Sequence, residues 1–592
     1  MIPITRHYVV VDGRLIHYRR AGQGPLLLLL HQSPQSSLDY VDLMQRWGDR
    51  FTMLAPDRPG CGQSDPLPDA APEFDRYGDT IAAFLEALGI ARVPVYGFHT
   101  GAREALSLAA RHPDKVIAVA ANGVSQMTPE ELAEIDRDYL PKIEPRWDGG
   151  HLAWLWSRMR EQTVFFPWFK RSAAGRMDYD MAPPERTQRH LLEVLRNWRV
   201  YDVGYRSAFH ANASGAVRDS RAPTLIGAAV LDPLHAHLAR LGVARPGLEV
   251  RGFPTAADVE QAASDFLLRA IRETPGSLRS WPASATGLVA GRGFLGAPGA
   301  QLHARAHAPS TEAAARPAPG AVAVRPGSRL VVLHDATENA AALEPLLAAC
   351  AKLGYAVTAP ELPGHGESAP VASPDGRLPE HARLIETVTQ QLADALRTLP
   401  GSGPVTLLGL GAGATLALAI AAHAAGTAPF EIARVIAWQP SCWHAEDREA
   451  IASAFAEVPA VAWHGGHLAH AWIRATDAGL FHPWCLRRRA HAWRGAPRVD
   501  TLDVHERAFA LLLSGAAGPA LAAAVAADDL RHRVEAARAP VSVLLDAASP
   551  QRYLDGVQAA LCGSRALVEA IDAGALCEPA AAHALAARIA RG

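Results

Sequence analysis

The sequence predicts an α/β fold built twice in tandem, each copy a mostly parallel sheet with flanking helices and a helical cap insertion. Three observations predict it. Apolar runs of strand length alternate with stretches of helical periodicity. Val93–Gly101 and Val405–Gly413 each lead from an apolar strand through a Gly-x-x-x-Gly turn into an Ala/Leu-rich helix. Short motifs also recur in one order: Pro56–Pro66 with Pro360–Pro370 at an offset of 304, then Gly149–Trp156 with Gly465–Trp472 and Pro167-Trp168 with Pro483-Trp484, both at 316. Ordered matches with a slowly drifting offset are the mark of duplication with small loop insertions.

In the first copy, 1–275, Tyr8–Asp12 and Leu15–Arg19 read as an opening hairpin. Leu26–His31, Phe51–Ala55, Val93–Tyr96, Val116–Ala120 and Thr224–Ala228 are unbroken apolar runs, as expected of parallel strands covered on both faces. Tyr77–Leu88 and Ala102–Arg111 have helical patterning between them, which implies right-handed crossovers. Residues 126–218 interrupt this alternation with a helical segment rich in Trp and Arg, the expected cap. Residues 276–326, rich in Ala, Gly and Pro, read as a flexible linker. The second copy follows at 327–592, with its cap at 441–535.

Hydrophobic residues make up 49% and charged residues 20% of the 592, with a net charge of −2. That balance offers no electrostatic footprint for nucleic acid or an anionic membrane. The six cysteines have no C-x-x-C spacing, which argues against a zinc site or a disulfide framework. With no signal peptide or bilayer-length apolar run, the expectation is a cytoplasmic protein without metal or cofactor, acting on a small molecule and packed as an internal pseudo-dimer.

The residues of the first copy resemble the α/β-hydrolase family: the His31-Gln-Ser-Pro34 turn, the Asp57–Asp65 stretch, the elbow at Gly97–Gly101, a cap, and a late strand leading to Asp232. The Gly-x-His-Thr-Gly elbow is also similar to bacterial sequences of this kind that share the His-Gln-Ser-Pro turn. The resemblance implies a nucleophile at the elbow, a histidine base after the last strand, an acid orienting it, and two backbone N–H groups for an oxyanion, one after the nucleophile and one in the early loop. Here the elbow residues are His99 and Gly411, and the loops after the last strands (251–259 and 571–578) contain no histidine. Family-type serine catalysis is therefore excluded in both copies. His583 falls on the closing helix, and Asp546 stands in an acid-like position with nothing to orient.

His99, Ser33 and Asp232 are the candidate catalytic residues. His99 reads either as a general base or nucleophile, with Ser33 opposite it, or as an imidazole satisfied by its neighbours. Asp232 either accepts from a histidine or caps the next helix, and His235 or His237 is a possible substitute base. His31, Gln32, Phe98, Thr100, His151 and Trp156 are candidate substrate contacts. His151 recurs as His467 and Trp156 as Trp472 in the copy whose elbow is Gly411, which favours packing over chemistry for that pair. Gly409-x-Gly-x-Gly lacks the remaining parts of a dinucleotide loop. The expected activity is on an apolar carbonyl compound (ester, lactone or C–C substrate). The alternative is a non-catalytic pseudo-hydrolase that binds a ligand or serves as a scaffold.

Overall fold

The computed structural model describes residues 2–274, 287–310, 327–373, 377–422, 429–574, 576 and 578–591. The chain divides into two compact units, Met1–Glu144 with His151–Ala285 and Pro145–Gly150 with Thr286–Gly592.

Among the described residues the first unit has strands β1 (Ile4–Val11), β2 (Arg14–Ala21), β3 (Leu26–Leu30), β4 (Thr52–Pro56), β5 (Val93–Phe98), β6 (Val116–Asn122), β7 (Thr224–Ala229) and β8 (Leu248–Phe253). They lie in the order β1-β2-β4-β3-β5-β6-β7-β8. β1 pairs antiparallel with β2 and β2 with β4, and the remaining pairs are parallel. The opening hairpin closes over Asp12-Gly13, with φ of 48° and 76°. That is the two-residue turn whose twist matches paired strands. β3 consists of five leucines, all buried. Leu26, Leu28 and Leu30 feed the core on one face of the sheet, and Leu27 and Leu29 the core on the other.

The second unit has β9 (Leu288–Val289), β10 (Arg292–Leu295), β11 (Leu302–His307), β12 (Arg329–Leu333), β13 (Ala356–Pro360), β14 (Val405–Leu410), β15 (Ile432–Trp438), β16 (Val541–Asp546) and β17 (Leu567–Ile571) among the described residues. Their order is β9-β10-β11-β13-β12-β14-β15-β16-β17, the first unit's topology with one short strand added at the antiparallel edge.

This corrects the reading of 276–326 as linker. Residues 287–310 carry β9 to β11, which pair antiparallel and join the sheet through β13. Arg292-Gly-Phe-Leu295 and Leu302-His-Ala-Arg-Ala-His307 are short and half polar, so they lack the apolar run that marks a central strand. Antiparallel strands at the margin of a sheet need no such run, because they are not covered by helices on both faces as the central parallel strands are. The rest of that stretch, 276–286 and 311–326, lies outside the described residues.

In the first unit, helices Pro129–Asp138, Gly150–Gln162, Pro184–Arg196, Tyr201–His210 and Ala213–Asp219 stand between β6 and β7. Ala445–Ala456, Gly466–Leu480, Thr501–Ser514, Ala517–Ala527 and Leu530–Ala536 stand between β15 and β16. One packing device recurs in both caps. The Arg158 guanidinium lies 5.6 Å from the Trp168 ring, and that of Arg474 lies 4.6 Å from Trp484. A buried cation over an aromatic face accounts for the repeated Arg and Pro-Trp residues as core. Among the described residues, no single helix is long and apolar enough to cross a membrane.

Candidate active site

Both elbows are sharp turns between a strand and a helix. His99 joins β5 to the helix Thr100–Arg111 at φ 50° and ψ −108°. Gly411 joins β14 to the helix Ala412–Ala422 at φ 53°. The flanking glycines are dictated by contact. A Cβ on Gly97 would lie 2.2 Å from the Gly101 carbonyl oxygen, and one on Gly101 would lie 1.8 Å from that of Leu30. Gly409 and Gly413 stand in the same relation to Gly413 and Leu333, at 2.2 and 2.3 Å. His99 itself is a non-glycine residue at positive φ, a strained conformation that presents its side chain above the sheet.

His99 Nε2 lies 2.9 Å from Asp232 Oδ2. Asp232 follows β7, and its Oδ1 accepts the Leu234 N–H at 2.8 Å. The carboxylate therefore does both things open to it: it orients an imidazole and caps the next turn. Burial pushes the Asp232 carboxyl up, but the charge of His99, its hydrogen bond and the Leu234 N–H outweigh that and hold it below its ordinary value. The imidazole side chain is 24% exposed, so the pair is open to solvent. The Phe98 ring packs on His99 at a centroid distance of 4.0 Å.

The absence of a base after β8 also has a local cause. Thr255 Oγ1 accepts from the Asp258 N–H, and the Asp258 carboxylate accepts from the Thr255 N–H. This capping box starts the helix Ala256–Glu273 two residues after β8 ends. No loop remains there to carry a side chain back to Asp232. Neither His235 nor His237 replaces it: His235 packs against Gly252, and His237 Nδ1 lies 3.0 Å from both N and O of Gln126.

Ser33 is not brought to His99. Its Oγ accepts from Arg58 Nη1 at 2.7 Å, and its N–H donates to Thr100 Oγ1 at 3.3 Å. The place of Ser33 opposite His99 is thus corrected: its hydroxyl is held by Arg58, which is 1% exposed and also donates to the His31 carbonyl and to Glu104. His31 is buried. Its Nε2 accepts the Arg58 N–H and its Nδ1 donates to the Gln32 carbonyl, so it holds the turn and is not a substrate contact. Burial pushes its pKa down to about 3. Gln32 turns toward Asp39, donating from Nε2 at 2.8 Å. Thr100 opens the elbow helix, where its N–H has no intrahelical acceptor. His151 and Trp156 are each 4% exposed in the helix Gly150–Gln162, the burial of packing residues.

The second elbow is filled differently. Asp335, the counterpart of Gln32, accepts from the N–H of Ala336 at 2.7 Å and of Ala412 at 2.9 Å, both through Oδ1. Asp546 accepts from Arg498 at 2.5 Å and from the Ala548 N–H at 2.9 Å. This repeats the two bonds of Asp232, with an arginine where the first unit has His99, so the acid-like position of Asp546 is filled by an ion pair and orients no imidazole. Among the described residues no group of three or more His, Cys, Asp or Glu is placed to hold a metal ion.

A family model described as alpha/beta hydrolase fold matches residues 25–149, and one described as serine aminopeptidase, S33, matches residues 325–483. The chain contains two α/β-hydrolase domains. Relatives of the chain include a 2-(acetamidomethylene)succinate hydrolase from Mesorhizobium japonicum, 34% identical over 23% of this chain and 47% of the relative. A cis-3-alkyl-4-alkyloxetan-2-one decarboxylase from Shewanella oneidensis is 28% identical over 20% of this chain and 37% of its own length. The chain thus spans less than half the length of the curated relatives it matches. A solved structure of E-2-(acetamidomethylene)succinate hydrolase is 22% identical, covering 44% of this chain and 98% of that one at a TM-score of 0.33.

Proposed function

We propose that the first hydrolase domain acts on a small carbonyl compound, an ester, lactone or C–C substrate, with the His99–Asp232 pair as its general base. The observation that carries this is the 2.9 Å contact between His99 Nε2 and Asp232 Oδ2 at the elbow, where the family places its reacting side chain. With Nε2–H donated to Asp232, Nδ1 keeps its lone pair. For an ester, Nδ1 takes a proton from water while the water oxygen bonds to the carbonyl carbon. The resulting oxyanion is stabilised by the N–H of Thr100 at the start of the elbow helix. The intermediate expels the alkoxide, Nδ1–H returns the proton to it, and the products are acid and alcohol. The names of relatives that act on succinate-derived and oxetanone compounds support a small carbonyl substrate.

We also infer that the second domain is a non-catalytic support for the first. Gly411 has no side chain to react, and Asp546 is neutralised by Arg498. An isolated 1–275 fragment is then expected to self-associate or to melt several degrees below the full chain. A monomeric fragment of equal stability overturns this role.

The test of the first reading is an ester and lactone panel run beside fluorophosphonate labelling of the full chain. Turnover without labelling of any serine is expected, since Ser33 Oγ faces Arg58 and not a base. Stoichiometric labelling of a serine, or no turnover of any ester or lactone, contradicts it.

A further inference from the structure

We propose that the second domain keeps a working anion pocket and that the carboxylate of Asp335 is its resident anion. Independently of the reading of the first domain, the donors are the backbone N–H groups of Ala336, in the early loop, and Ala412, directly after the elbow. Those are the two places from which this fold offers hydrogen bonds to an oxyanion. A single oxygen, Asp335 Oδ1, accepts both, at 2.7 and 2.9 Å. One oxygen between two convergent N–H groups is the arrangement such a pocket gives a bound oxyanion.

The elbow residue provides the second, independent observation. A Cβ built on Gly411 would lie 2.4 Å from Asp335 Cγ and 2.5 Å from each of its carboxylate oxygens. The carboxylate thus fills the space into which an elbow side chain would project. Positive φ alone does not demand glycine at this turn, because His99 occupies its counterpart at 50°. Gly411 and Asp335 are a matched pair: the acid closes the pocket and excludes any side chain at 411. In the first domain, Gln32 is turned to Asp39, and the equivalent donors, Ser33 and Thr100, are not bridged by residue 32.

The ligand class follows from the donors. With Asp335 shortened, the pocket takes a small carboxylate, and formate is the probe. In the full chain, Asp335→Ala orphans two donors and is expected to lower the Tm by several degrees. Formate at tens of millimolar is expected to raise the variant's Tm by about 2 °C or more beyond its effect on the parent, by mass action on the native state. Separately, Gly411→Ala is expected to lower the Tm of the parent clearly more than that of the Asp335→Ala chain, because only the parent holds the carboxylate that its Cβ meets. If Asp335→Ala does not fold, Asp335→Ser serves both comparisons. A formate response no larger than the parent's, or an equal cost of Gly411→Ala in both backgrounds, overturns the proposal.

Discussion

A Cβ on Gly123 would lie 2.3 Å from Cδ2 of His99 and 2.8 Å from its Nε2, so the glycine after β6 is what leaves room for the imidazole. The second domain supplies the control. The residue after β15 is Gln439, also at positive φ (48°), opposite an elbow with no side chain. Gln439 instead accepts the Asp546 N–H through Oε1 and donates to Ser549 Oγ. His99 with Gly123, and Gly411 with Gln439, are two self-consistent solutions at one place in the fold.

Gly123→Ala is therefore expected to destabilise the chain by about 1–3 kcal/mol through overpacking and to displace the imidazole from Asp232. The clash needs the ring, so the same substitution in a His99→Gly chain is expected to cost less. Thermal unfolding of the four combinations measures it; equal costs would mean that backbone strain at 123, and not the His99 ring, requires the glycine.

Arg58 and Glu104 form an ion pair at 2.9 Å with both side chains 1% exposed, and their counterparts in the second domain are Leu362 and Leu416, both fully buried in one apolar cluster. Breaking a buried pair leaves an uncompensated charge, whereas well-packed leucines carry no such penalty. Glu104→Leu alone is expected to cost about 3–5 kcal/mol, and the Arg58→Leu, Glu104→Leu chain to recover a large part of that. Denaturant unfolding checks the order. A double variant less stable than Glu104→Leu would show that the bonds from Arg58 to Ser33 and His31 outweigh the ion pair.

His482 is pressed against Trp443, Trp493 and Tyr553, and its Nε2 has no hydrogen-bond partner. Burial pushes its pKa down to about 3 from an ordinary 6.5. Between these values the unfolded chain takes up the proton and the folded chain does not. The stability associated with the neutral ring is therefore complete above pH 6.5 and is lost as pH falls toward 3, by up to about 1.4 kcal/mol per pH unit. His482→Phe keeps a ring in that position and removes the proton. It is expected to flatten the fall in Tm between pH 6.5 and 4. An unchanged slope would show that His482 is not among the groups that set acid sensitivity.

The duplication, the central strands, both elbows and the caps were legible in the sequence, because each rests on local pattern: five leucines in a row, paired glycines, repeated motifs. The contact between His99 and Asp232 was legible only as two candidates, since nothing local says that an elbow side chain will meet an acid 133 residues on. Ser33 misled because its position is right while its hydroxyl is held by Arg58, and Arg58 looked like a member of the Pro56–Pro66 loop alone. Asp335 and Arg498 were missed because each acts by occupying another residue's place. The alignment of Asp335 with Gln32 was the available signal.

In the mechanism proposed above, His99, oriented by Asp232, removes the proton from the attacking water. The measurement that tests it most directly is kcat/KM on the best ester or lactone for the parent, His99→Ala and Asp232→Asn. A loss of about 10²–10⁴-fold is expected for His99→Ala, the range for removal of a positioned base, and a smaller but clear loss for Asp232→Asn. Turnover unchanged in His99→Ala would contradict it.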